Sequence, residues 1–88
     1  MKRSEEFIKR KIGTRYVIVA VGKAAKKFSG MISVNGTGSA IWDLLESDMT
    51  EEQVVDALLL RYEIDRTTAL SDTREFLASL KEVGAIVE

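Results

Sequence analysis

The 88-residue chain, 45% hydrophobic and 31% charged, has the balance of one small globular domain spanning residues 1–88 rather than of a disordered tail. It has no cysteine and no histidine, which excludes disulfides, thiolate metal sites and every Ser-His or Cys-His nucleophile. The net charge of −1 conceals a division: residues 1–34 carry +7 and residues 35–88 carry −8, so the chain has either a charged partner or two halves that attract each other.

The start, Met1-Lys2-Arg3, is basic, but Ser4-Glu5-Glu6 follows where an export signal needs an apolar run. The longest apolar stretches, Val17–Val21 and Ala57–Leu60, fall far short of the about 20 residues of a membrane span. The expected location is the cytoplasm, which the missing cysteine also fits. Phe7–Ile12 reads as a strand, with Ile8 and Ile12 on one face and Lys9 and Lys11 on the other. Gly13-Thr14 is a two-residue loop with Gly first, the signature of a type II′ hairpin. Arg15–Val21 is rich in β-branched residues and apolar on both faces, which predicts a central strand covered on both sides. Gly22–Gly30 is a connection with three lysines and Phe28, and Met31–Val34 is a short third strand.

The simplest topology is a meander with the third strand at an edge. Such edges are normally blunted by Lys, Pro or a bulge, and Met31-Ile32-Ser33-Val34 has neither Lys nor Pro. It is therefore covered within the fold or meant to be paired.

The rest reads as three helices within about residues 37–84. Asn35 or Thr37 caps the first, which carries Ala40, Ile41, Leu44 and Leu45 at helical spacing. Thr50-Glu51-Glu52-Gln53 is a capping box that opens the second, continued by Val54, Val55, Leu58, Leu59 and Tyr62. Asp65 caps the third, which runs from about Arg66 to Val83, and Gly84 stands at its C′ position. Ala85-Ile86-Val87 is an apolar tail that docks on the core or adds a short strand. On the third helix, Ala69, Thr73, Phe76, Leu80 and Val83 fall on one narrow face, the expected core stripe. Leu70 and Leu77 lie to one side of it, beside Arg74 and Lys81. Either they pack on another helix, or they line a groove with a basic rim.

The carboxylate pairs Asp43/Glu46 and Asp72/Glu75 read as solvated helix surface, and Trp42 reads as a core anchor. No catalytic residue, cofactor or metal ligand is expected. DNA binding is disfavoured because the second helix carries Glu51, Glu52, Asp56 and Glu63 against Arg61 alone, whereas phosphate contacts need several bases on the docking face. RNA binding by the basic first third has only Phe7, Tyr16 and Phe28 as stacking aromatics. An open edge also allows pairing between two copies of the chain, giving a homodimer or a strand swap.

The segment Gly30-Met31-Ile32-Ser33-Val34-Asn35-Gly36-Thr37-Gly38-Ser39-Ala40-Ile41-Trp42-Asp43-Leu44-Leu45 resembles the "hydrophobic strand, Asn, x, Thr, Gly, x, x, Ile-Trp, x, Leu-Leu" segment of PqqD-like proteins, the RiPP precursor-peptide recognition elements. Thr50–Leu58 is similar to the second helix of that family, and Asp65, Ala69, Asp72, Phe76, Leu77, Leu80 and Gly84 match the spacing of its third helix and exit. The resemblance begins at about Phe7 and covers nearly the whole chain. It implies an α+β, winged-helix-like fold, three antiparallel strands followed by three helices. It further implies that the leader segment of a ribosomally made precursor adds as a strand to Met31–Val34 and lies against the third helix. The domain then presents the precursor to a separate modifying enzyme, expected to be a radical SAM protein. The peptide-binding residues so expected are Met31, Ile32, Ser33, Val34, Leu70, Arg74, Leu77 and Lys81. Lys26, Lys27, Arg74 and Lys81 would favour an acidic leader.

Overall fold

The β-branched run that begins at Arg15 takes the centre of a three-stranded antiparallel sheet, as its composition predicts. The computed structural model describes residues 1–88. Its elements are β1 (Lys2–Arg3), β2 (Phe7–Ile12), β3 (Arg15–Ala20), a 3-10 turn (Gly22–Lys26), β4 (Met31–Val34), α1 (Gly36–Leu44), α2 (Glu51–Arg61), α3 (Arg66–Glu82) and β5 (Ile86–Val87). The sheet order is β2-β3-β4, with Ile12 opposite Arg15 and Tyr16 opposite Val34. Gly13, at φ +64°, takes the first turn position, and Thr14 stays at negative φ, the sign pattern of the expected hairpin. The architecture is α+β, with the sheet followed by three helices.

Helix boundaries follow the local chemistry. The Asn35 side chain accepts from the Gly38 N–H at 2.8 Å, so Asn35 rather than Thr37 is the cap of α1. Thr50 and Gln53 form both arms of the capping box of α2. Asp65 accepts from the Thr68 N–H at 2.7 Å. At the end of α3 the Ala85 N–H donates to Leu80 O at 2.8 Å and the Gly84 N–H donates to Lys81 O at 3.1 Å, a Schellman motif around Gly84. That turn aims Ile86 and Val87 back along the molecule.

Ile18, Ile41, Trp42, Leu45, Val54, Leu58 and Leu80 form the centre of the core, each nearly inaccessible to water. Trp42 is thus the anchor its sequence context predicts. The centre of β3 is buried on both faces, at Val17 and Ile18, as its sequence predicts. Cross-strand pairs share a face, and Lys9, paired with core Ile18, reaches Ser39 and Asp43 around α1, so that face meets the helices. The row Arg10, Val17, Ser33 lies on the other face. Val17 is only 1% exposed there, while Ile12 and Met31 on the same face are open to water.

Two elements have no counterpart in the sequence expectations. The connection after β3 contains the 3-10 turn, and the basic start of the chain forms β1, which pairs with β5. The β1–β5 ribbon ties both ends of the chain to the α1–α2 connection: the Arg3 N–H donates to Leu45 O at 2.9 Å and the Met49 N–H donates to Met1 O at 2.8 Å. On α3 the buried positions are Ala69, Thr73, Leu77 and Leu80, so the core stripe includes Leu77, and Phe76 is only half-buried at its margin. No helix is long and apolar enough to cross a membrane.

Candidate functional site

The two edges of the sheet differ in charge. β2 carries Lys9, Arg10 and Lys11 in a row, which guards it against foreign strands, and β4 carries no charge. The pairing register shows which backbone groups of β4 are free. In an antiparallel strand each residue turns its N–H and C=O to one side, and its neighbours turn theirs to the other. The two-residue hairpin makes Ile12 and Arg15 a hydrogen-bonded pair, so Arg15, Val17 and Val19 face β2. Val21, next in that series, donates its N–H to Glu6 O at 2.7 Å on the same side. Tyr16 and Ile18 therefore face β4, and their partners Val34 and Ile32 face back. Met31 and Ser33 are left with N–H and C=O groups directed away from the sheet. β4 ends the strand order, and no other segment bonds to it.

A cleft runs beside that open edge. Ile32, Ser33 and Val34 line it from the strand, and Thr37, Gly38 and Ile41 line it from α1. The opposite wall is α3, which contributes Asp72, Glu75, Phe76 and Ser79. These four follow i, i+3, i+4, i+7 spacing and so share one helix face. Gly38 is what lets α1 and α3 meet here. A Cβ at that position would stand 3.3 Å from the Phe76 ring and 3.3 Å from Asn35 Oδ1, crowding both the aromatic floor and the helix cap.

The cleft is lined by carboxylates and by no base. Asp72 and Glu75 are both exposed, and neither takes part in an ion pair. Arg74, between them in sequence, points to α2, where its Nε donates to Glu51 at 2.7 Å. Lys81 lies 3.3 Å from Glu88. Most of the charge division between the chain halves also survives folding. Among the Lys and Arg side chains of residues 1–34, Lys9 alone pairs with an acid, Asp43, at 2.8 Å.

The residues singled out from sequence divide accordingly. Ile32, Ser33 and Val34 line the cleft, and Met31 stands beside it on the open edge, 57% exposed. Leu77 does not line a groove: it is 3% exposed and belongs to the core, because the buried face of α3 is centred about 35° to the Leu77 side of the expected stripe. Leu70, Arg74 and Lys81 lie outside the cleft as well, so the basic rim is not there. Lys26 and Lys27 are exposed at the end of the 3-10 turn and do not line the cleft either. The sequence expectation places Phe76 in the core and Asp72 and Glu75 on solvated surface; Phe76 does pack against the core margin, and all three line the cleft together with Ser79, whose shared helical spacing is the signal for that face.

The geometry defines a small winged-helix-like domain whose uncharged sheet edge, β4, lies open beside a helix-walled cleft. The family model for Coenzyme PQQ synthesis protein D (PqqD) matches residues 15–86, and the chain belongs to this family. Two solved structures share the fold. "TbiB1 in Complex with the TbiA(beta) Leader Peptide" is 30% identical, with a TM-score of 0.71 and 100% of both chains covered. "Lasso peptide synthetase B1 complexed with the leader peptide" is 23% identical, with a TM-score of 0.73, covering 99% of this chain and 96% of that one. No curated protein matches the sequence.

Proposed function

We propose that this domain binds the leader segment of a ribosomally made precursor peptide as an added strand on β4 and presents the precursor to a separate modifying enzyme. The observation that carries this reading is the pair of outward-facing residues Met31 and Ser33 beside a cleft floored by Phe76. Family membership and the two leader-bound structural relatives support it. The partner enzyme is of the radical SAM kind or another peptide-modifying class. The domain itself acts as a non-catalytic recognition module in the cytoplasm, where precursors are made.

Edge pairing at two residues supplies only a few hydrogen bonds, each contributing about 1 kcal/mol net. Side-chain burial must supply the rest. Two or three leader side chains at about 1.5–3 kcal/mol each reach micromolar affinity after ordering costs.

The test is an amide-exchange titration with synthetic leader peptides, chosen from any short precursor found encoded beside this gene. Met31 and Ser33 amides exchange fast in the free protein and become protected on binding. Ser33→Pro removes an outward N–H, so it weakens binding more than it weakens the fold. Peptide binding that protects neither amide would overturn added-strand docking. Concentration-dependent protection without peptide would instead show that the edge pairs with a second copy of the chain.

A further inference from the structure

The cleft has an electrostatic sign opposite to the one the bases of the sequence imply. Asp72 and Glu75 stand three residues apart on one helix face, close enough to repel each other. The molecule holds no cation against either of them. Arg74, the nearest base in sequence, is engaged by Glu51 on the far side of α3. Two carboxylates alone would be ordinary helix surface. Here they wall a cleft whose other side is an open strand edge, so a docked strand brings its own side chains against them.

We infer that the peptide taken up on β4 carries a lysine or arginine that sits between Asp72 and Glu75, so that the domain selects a basic rather than an acidic leader. This rests on the peptide-docking reading above. In an added strand, alternate side chains face the same side. One such position lies against Phe76 and takes an apolar side chain. A neighbouring same-side position lies against the carboxylates, where a cation gains two opposite charges in a setting partly screened from water by the strand itself. An acidic residue there would meet like charge from both.

The experiment selects random twelve-residue peptides displayed on phage against three forms: the unaltered protein, the double variant Asp72→Asn/Glu75→Gln, and Ser33→Pro. Both carboxylates are exposed, so the double variant folds, and a thermal melt verifies this. The expected result is enrichment of Lys or Arg at one position relative to the apolar anchor on the unaltered protein, lost on the double variant. Replacing that Lys by Glu in the best peptide weakens binding by about fivefold or more at low salt, and the gap narrows at about 0.5 M NaCl. Peptides that need an intact Ser33 amide but show no basic preference, or an acidic one, would overturn the inference and leave strand docking standing. Failure to select any peptide, or selection indifferent to Ser33→Pro, would overturn docking and this inference together.

Discussion

The guanidinium of Arg3 lies 5.5 Å from the centre of the Trp42 ring and donates through Nη1 to the Trp42 carbonyl at 3.1 Å. One side chain thus holds the β1–β5 ribbon to the buried anchor of α1. Cation–π contact and a charged hydrogen bond together predict that Arg3→Ala destabilises the fold by about 1–2 kcal/mol. Arg3→Lys restores only part of this, because an ammonium cannot lie flat over the ring and reach the carbonyl at once. Urea melts of the three forms check it, with the denaturant slope unchanged if only stability moves.

Leu77 and Phe76 are adjacent in sequence but differ in role. Leu77→Ala leaves a core cavity and costs about 2–4 kcal/mol of stability. Phe76→Ala removes a half-buried ring from the cleft floor, so it costs less stability and more peptide affinity. Parallel thermal melts and leader titrations separate the two; equal stability losses without an affinity difference would contradict this assignment.

Thr73 is fully buried, and its Oγ1 has no hydrogen-bond partner. An unmade hydrogen bond at a buried hydroxyl is unfavourable, and valine has the same branched shape without the hydroxyl. Thr73→Val is therefore expected to stabilise the domain by about 1 kcal/mol, read as a higher urea midpoint.

Two carboxyls, Asp48 and Asp65, contribute to the acid limb of stability. The hydrogen bond from the Met1 ammonium, 2.6 Å away, followed by that group's positive charge, holds Asp48 below its ordinary value. The Thr68 backbone N–H does the same for Asp65. A carboxyl lowered in the folded state contributes in full above the ordinary pKa of about 3.9, and that contribution is lost as pH falls through the lowered value. Asp65→Asn keeps a good helix cap but cannot titrate, so it is expected to change neutral stability little and to flatten the melting curve below about pH 4. Asp48→Asn flattens it likewise. Melting temperatures against pH for the two variants test this.

The parts of the fold written in short-range signals were legible in the sequence. Gly13-Thr14, Asn35, the Thr50–Gln53 box, Asp65 and Gly84 each carry their boundary in one to four residues, and the strands follow from β-branched content. The pairing of β1 with β5 was not legible, because two-residue strands have no periodicity and their partners lie at opposite ends of the chain. The site was half legible. The unguarded edge at Met31–Val34 is visible in composition, but the wall facing it depends on the rotation of α3. Phe76 and Leu77 are both apolar and about 100° apart, so the stripe that excludes Leu77 looks as plausible as the one that includes it. The charge of the cleft was illegible for a related reason: counting bases does not reveal that Arg74 turns toward Glu51 and leaves its acidic neighbours alone.

The position of α3 across the cleft from β4 has a consequence for assembly. A strand laid against β4 finds a helix beyond it, with no further edge on which another strand could grow. The opposite margin of the sheet is charged. Polymerisation into a fibril is thus blocked at both sides, and occupancy stops at one guest per domain.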